Sequence, residues 1–135
     1  MKMRKGVASL AVAAAATMGA VLMPGTANAS TGGGCATFSG AGDTLEPCIS
    51  ASGHYVEPDG YIIKNTGCAS AYLQLFNEVD GTVLATHNVG CSLGHKGPFP
   101  YLGTNGQKYE TRLWTQDSDG IVIISTLSWS LSFSD

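Results

Sequence analysis

Turn-forming residues punctuate this chain at short intervals, and that punctuation limits what it can fold into. After residue 50 they cluster at Glu57-Pro58-Asp59-Gly60, Asn65-Thr66-Gly67, Val79-Asp80-Gly81, Thr104-Asn105-Gly106 and Asp117-Ser118-Asp119-Gly120. Gly and Asn tolerate positive φ, Pro presets its own φ, and Asp bonds its own backbone, so each cluster reads as a turn with a mechanism. Between them lie short runs rich in Ile, Val, Thr and aromatics, which suit a pleated, half-buried surface. The spacing predicts strands over 45–51, 61–64, 70–78, 82–88, 107–115 and 121–133. No window after Ala29 shows apolar residues at helical spacing. The fold class is therefore all-β: a small antiparallel β-sandwich, Greek-key or immunoglobulin-like.

The tail carries the clearest period. In Ser125 to Asp135, serine alternates with a large apolar residue. Successive strand side chains point to opposite faces, so Leu127, Trp129, Leu131 and Phe133 are expected on the core and the serines in water. Ile121-Val122-Ile123-Ile124 is apolar on both faces, which predicts a path through the middle of the domain. The whole run is long for one strand, so a bend or bulge is expected near Ser125-Thr126.

The first 29 residues read differently. Lys2, Arg4 and Lys5 precede an apolar run from Val7 to Met23, a Pro24-Gly25 break and Ala27-Asn28-Ala29. Basic start, apolar middle and A-x-A end predict a helical secretory signal peptide over 1–29. The run stops short of the about 20 residues a spanning helix needs. The expected organisation is signal peptide 1–29, a flexible Gly-rich lead-in over 30–44, and one sandwich domain over 45–135. The exported part keeps four Lys and Arg against ten Asp and Glu, a net charge of −6. Nucleic acid attracts clustered Lys and Arg, so neither it nor an anionic membrane is an expected partner.

Cys35, Cys48, Cys68 and Cys91 all fall in the exported part, an even number that reads as two disulfides. No pair is spaced C-x-x-C, which argues against zinc and thioredoxin-type chemistry. A chain reversal at Asp80-Gly81 brings Cys68 to Cys91 and leaves Cys35 for Cys48, the preferred pairing. A reversal at Pro58-Asp59 would instead bring Cys48 to Cys68 and leave Cys35 for Cys91.

Few residues point to chemistry. Asp117-x-Asp119-Gly120 lacks the further acidic ligands of a calcium loop and reads as a hairpin turn. His54, His87 and His95 are not spaced as metal ligands, and no Gly-x-Ser-x-Gly elbow accompanies the serines. No catalytic residue, metal or cofactor is expected. Two stretches fit binding better. Along 107–115 Tyr109 and Leu113 turn inward, which turns Lys108, Glu110, Arg112 and Trp114 outward; an exposed aromatic beside Arg is the composition of a binding hot spot. The 91–103 segment, "CSLGHKGPFPYLG", is stiffened by Pro98 and Pro100 and offers Lys96, Phe99 and Tyr101. Long loops in small domains are often functional.

The stretches "PCISASGHYVEPDGYIIKNTGCAS" and "CSLGHKGP", with the signal peptide and the acidic two-disulfide format, resemble the small secreted proteins of Streptomyces and related actinomycetes. That resemblance implies a type of host and an extracellular location. The format is also similar to the secreted α-amylase inhibitors of the tendamistat type, although their Trp-Arg-Tyr triplet is absent here, and in length to the Streptomyces subtilisin inhibitors. The expected function is a secreted binding module for an extracellular protein or carbohydrate. The alternatives are an inhibitor of a secreted hydrolase acting through 91–103, and a small hydrolase built around His54 or His95.

Overall fold

The computed structural model describes residues 29–135; the expected signal peptide lies, apart from Ala29, outside the described residues. Two six-stranded sheets, every pairing antiparallel, make up the fold over Ser30–Ser134. The first sheet runs in the order β1 (Thr31–Gly32), β12 (Leu131–Ser132), β10 (Lys108–Gln116), β6 (Ser70–Asn77) and β7 (Val83–Asn88), with β11 (Val122–Leu127) also on β10. The second runs β2 (Gly34–Cys35), β4 (Asp43–Ser52), β5 (Tyr55–Lys64) and β8 (Gly94–Lys96), with β3 (Phe38–Gly40) on β4 and β9 (Tyr101–Leu102) on β5. The core is where the inner faces of the two sheets meet. At one end Ile49 and Val56 pack with Leu75, Tyr109, Leu131 and Phe133; at the other, Leu45 and Ile62 pack with Ala71, Leu73 and Leu113. The strands expected over 70–78 and 107–115 are β6 and β10, which alternate buried and half-buried along their lengths.

The Gly-rich segment is a corner rather than a flexible lead-in. Thr31 and Gly32 pair with β12 in the first sheet, and Gly34 and Cys35 with β4 in the second. Gly33, between them, carries the chain across with φ +80° and donates its N–H to Ser130 O at 2.7 Å. A Cβ there would sit 2.7 Å from Ile49 O and 3.0 Å from Leu131 Cδ1. Strands that switch sheets make the corners of sandwiches, and only glycine fits this one. Gly33→Ala should destabilise by about 1–3 kcal/mol in urea melts, from the left-handed backbone and the clash together.

The turn expected at Pro58-Asp59 is instead the middle of β5, and the chain reverses at Gly53-His54. Pro58 is tolerated because Phe99 N donates to Pro58 O at 3.0 Å, on the side away from β4. A strand residue's N–H points the same way as its C=O, so the missing donor takes nothing from the β4 ladder. With that reversal goes the basis for a Cys48–Cys68 link. The disulfides are Cys35–Cys48 and Cys68–Cys91. Asp80-Gly81 does lie in a reversal, where Gly81 N donates to Asn77 O at 2.8 Å.

The tail departs from its regular sequence pattern. Along β11 the inward positions are even: Ile124 packs on the core and Thr126 is buried, with its hydroxyl donating to Leu113 O at 3.1 Å. Ser128 is also buried. Its Oγ accepts from Thr111 N at 3.0 Å and donates to Trp129 O at 2.9 Å. The strand then breaks and resumes at Leu131 with odd residues inward, so Leu131 and Phe133 are buried while Trp129 is 62% exposed. The irregularity lies at residues 128–130, not at Ser125-Thr126. Nor does Ile121–Ile124 run through the middle. Strand β11 pairs with β10 alone and leaves Ile121 and Val122 in water.

Candidate functional site

On the solvent side of β6 and β10, outward side chains are matched in pairs: Tyr72 with Trp114, Gln74 with Arg112, and Phe76 with Glu110. The Tyr72 and Trp114 rings stack at 5.4 Å between centroids with 28° between planes, which fixes both. The Arg112 guanidinium lies 5.4 Å from the centroid of the Phe76 ring, and Nη1 donates to Gln74 Oε1 at 3.5 Å. The one ion pair between described residues is His95–Asp59, so Arg112 makes no salt bridge among them. Strand β11 forms the far wall, with Ser125 opposite Trp114 and Leu127 opposite Arg112. Arg112, Trp114, Val122 and Ser125 together line a depression of about 260 Å³.

Next to it, the Glu78 and Glu110 carboxyls lie close enough to shift one another's proton affinity. Glu110 is pushed up to about 7, by burial first, then by its hydrogen bond to Glu78 and by Glu78's charge, against the pull of Arg112. Glu78 moves down, chiefly because Ser130 Oγ donates to its Oε1 at 2.7 Å. The pair therefore holds one proton between the ordinary carboxylate range and about pH 7, where two unfolded glutamates would hold none. Folded chains then bind more protons than unfolded ones, and stability falls as pH rises through that window. Glu110→Gln should flatten this slope in melts taken between pH 5 and 8, and Lys108→Gln should leave it largely in place.

The residues singled out in 91–103 lie elsewhere. The segment folds as an edge of the second sheet, with Lys96 opposite Gly60 and Leu102 opposite Tyr55. Lys96 is 9% exposed, and its Nζ donates to Ser92 Oγ at 2.9 Å. Phe99 stacks face to face on His87, centroids 4.0 Å apart, and packs against the core, as Tyr101 does at the other end. Offering any of the three to a partner's specificity pocket would mean unpacking it. His95 Nε2 meets Asp59 Oδ2 at 2.7 Å and stacks on Tyr61. Asp117 Oδ1 accepts from Asp119 N and Ile121 N, both at 2.9 Å, as a turn residue does. Among the described residues no three His, Cys, Asp or Glu side chains cluster as metal ligands.

Arg112 and Trp114 are thus brought together, while Lys96, Phe99 and Tyr101 are apart from them. The alternation along β10 made the first two visible. The sequence does not single out Tyr72, Gln74 and Phe76, although "SAYLQLFN" is large on both faces, because only the register with β10 places them. Compared with known proteins, the chain matches no family model, no curated protein and no solved structure.

Proposed function

We propose that the protein is a secreted binding module, in the format of small actinomycete exported proteins, that engages an extracellular partner through the outer face of β6, β10 and β11. The observation that carries this reading is the Trp114–Tyr72 stack beside an Arg112 that makes no salt bridge among the described residues, at the rim of an open depression. Rigid aromatics lose little side-chain freedom on contact, and Trp, Tyr and Arg are enriched among the few residues that dominate interface energies. Export is supported by the signal-peptide pattern of residues 1–29 and by two disulfides in so small a chain. No helix among the described residues is long and apolar enough to cross a membrane.

The test is capture from a culture supernatant on immobilised protein, with Trp114→Ala and Trp129→Ala compared with wild type. Trp114→Ala should lose what the wild type retains, whereas Trp129→Ala, exposed beside Gly34 of the other sheet, should keep it. Equal retention by all three would sink the assignment of this face.

A further inference from the structure

We infer that the ligand of this face is a neutral polysaccharide, with one sugar ring lying on Trp114 in the depression bordered by Arg112, Val122 and Ser125. The inference rests on the binding-module reading above and adds the chemical class of the ligand. A pyranose has two kinds of surface: a face of C–H groups and a rim of hydroxyls. The face needs a flat apolar support that does not move. Trp114, held against Tyr72 and flanked by Val122, provides one. The rim needs donors and acceptors lying to the side. Arg112 and Ser125 border the depression, and Gln74 is the cross-strand partner of Arg112. At about 260 Å³ and open to solvent, the depression is smaller than the pockets of about 300–1,000 Å³ that enclose drug-sized ligands. It suits one ring of a chain that continues beyond it.

Charge selects between neutral and acidic glycans. Arg112 is the single cation lining the depression, and the Glu78–Glu110 carboxyl pair stands beside it. The exported chain as a whole carries −6. A uronate or sulfate polymer would meet this carboxyl pair next to its one favourable contact, and long-range repulsion would slow its approach. An uncharged glycan avoids both. The neighbouring outward groups are neutral hydrogen-bonding pairs that can serve further hydroxyls: Ser70 with Gln116, and Gln74 with Thr86, each at 3.2 Å.

The chain's tryptophans are Trp114 and Trp129, so Trp129→Phe leaves Trp114 as the sole reporter. The purified Trp129→Phe protein would be titrated with soluble xylan, β-1,3-glucan, starch and oligosaccharides of chitin and cellulose, with pectate and alginate as acidic contrasts. Wild type would be assayed for retention on insoluble cellulose and chitin. The expected result is a saturable change in Trp114 emission with at least one neutral glycan. Tyr72→Ala and Arg112→Ala, checked for folding by near-ultraviolet circular dichroism, should each weaken it at least tenfold. Three results would overturn the inference: binding of pectate or alginate alone, response to none of the glycans, or a neutral glycan held equally well by Trp114→Ala. If the glycans fail but a supernatant protein is captured by wild type and lost by Trp114→Ala, the glycan is wrong and the face stands. If Trp114→Ala matches wild type in both assays, the face falls as well.

Discussion

Asp43→Ala should destabilise the fold by about 2–5 kcal/mol in urea melts, more than its place at the start of a strand implies. The carboxylate is 1% exposed and accepts two hydrogen bonds, from Thr66 N at 2.8 Å and Thr115 Oγ1 at 2.6 Å. Thr66 lies in the bend after β5, and Thr115 is a fully buried residue of β10 in the opposite sheet. One side chain thus ties both sheets and a loop at a point closed to solvent. Alanine would leave the Thr66 amide and the Thr115 hydroxyl without their partner, and each such group costs about 1–3 kcal/mol. Asp43→Asn separates geometry from charge. Its carbonyl oxygen can still take the Thr66 amide, and its NH₂ can donate to Thr115 Oγ1, since a hydroxyl accepts as well as donates. The Asn protein should lose less than half of what the Ala protein loses. Equal losses would show that the negative charge, not the bonding pattern, is what the site requires.

The tail offers the second large effect. Phe133→Ala should destabilise by about 3–5 kcal/mol, as truncation of a buried aromatic does. Its ring is 2% exposed, meets Tyr109 edge-on at 6.2 Å and fills the space beside Gly103, where even a Cβ would come within 2.5 Å of it. Trp129→Ala should stay within about 0.5 kcal/mol, as exposed substitutions do. The unbroken alternation predicts nearly equal losses at the two positions, so urea melts of both variants test the phase change directly. Comparable losses would place Trp129 back in the core.

What the sequence revealed and what it hid follow from how local each signal is. The period of β10 appears in its own residues, so Tyr109 and Leu113 inward and Arg112 and Trp114 outward needed no partner strand to be seen. The phase change after Ser128 was hidden because it is made by hydrogen bonds to Thr111, 17 residues away. Ser suits this role, since its hydroxyl can replace a ladder bond, but nothing in "LSWSLSFS" marks which serine does so. Pro58 misled for a related reason. A proline in a strand is excluded only where its N–H would be needed, and which side is open depends on the 97–100 segment alongside. Three glycines in a row read as freedom, and here their positive φ builds a fixed corner. The site divided the same way: half of it was legible on β10, and the aromatic half on β6 waited for register.

The antiparallel pairing of β1 with β12 also decides how the domain answers a pull. Ser30 Oγ donates to Ser134 O at 3.0 Å and accepts from Ser134 N at 2.9 Å, so a force applied at these two residues loads the ladder from its end. The bonds then open one after another, as in a zipper, instead of sharing the load as they would in shear. On the leading side the Cys35–Cys48 bond carries the tension past the loop it closes, so residues 36–47 are not drawn out. On the trailing side no covalent stop comes before Cys91, so β12, β11, β10 and β9 can be drawn out in turn. The two disulfides withhold spans of 13 and 23 residues from the extended chain. Reducing them would release on the order of 100 Å of added length, at roughly 3.3–3.6 Å per residue.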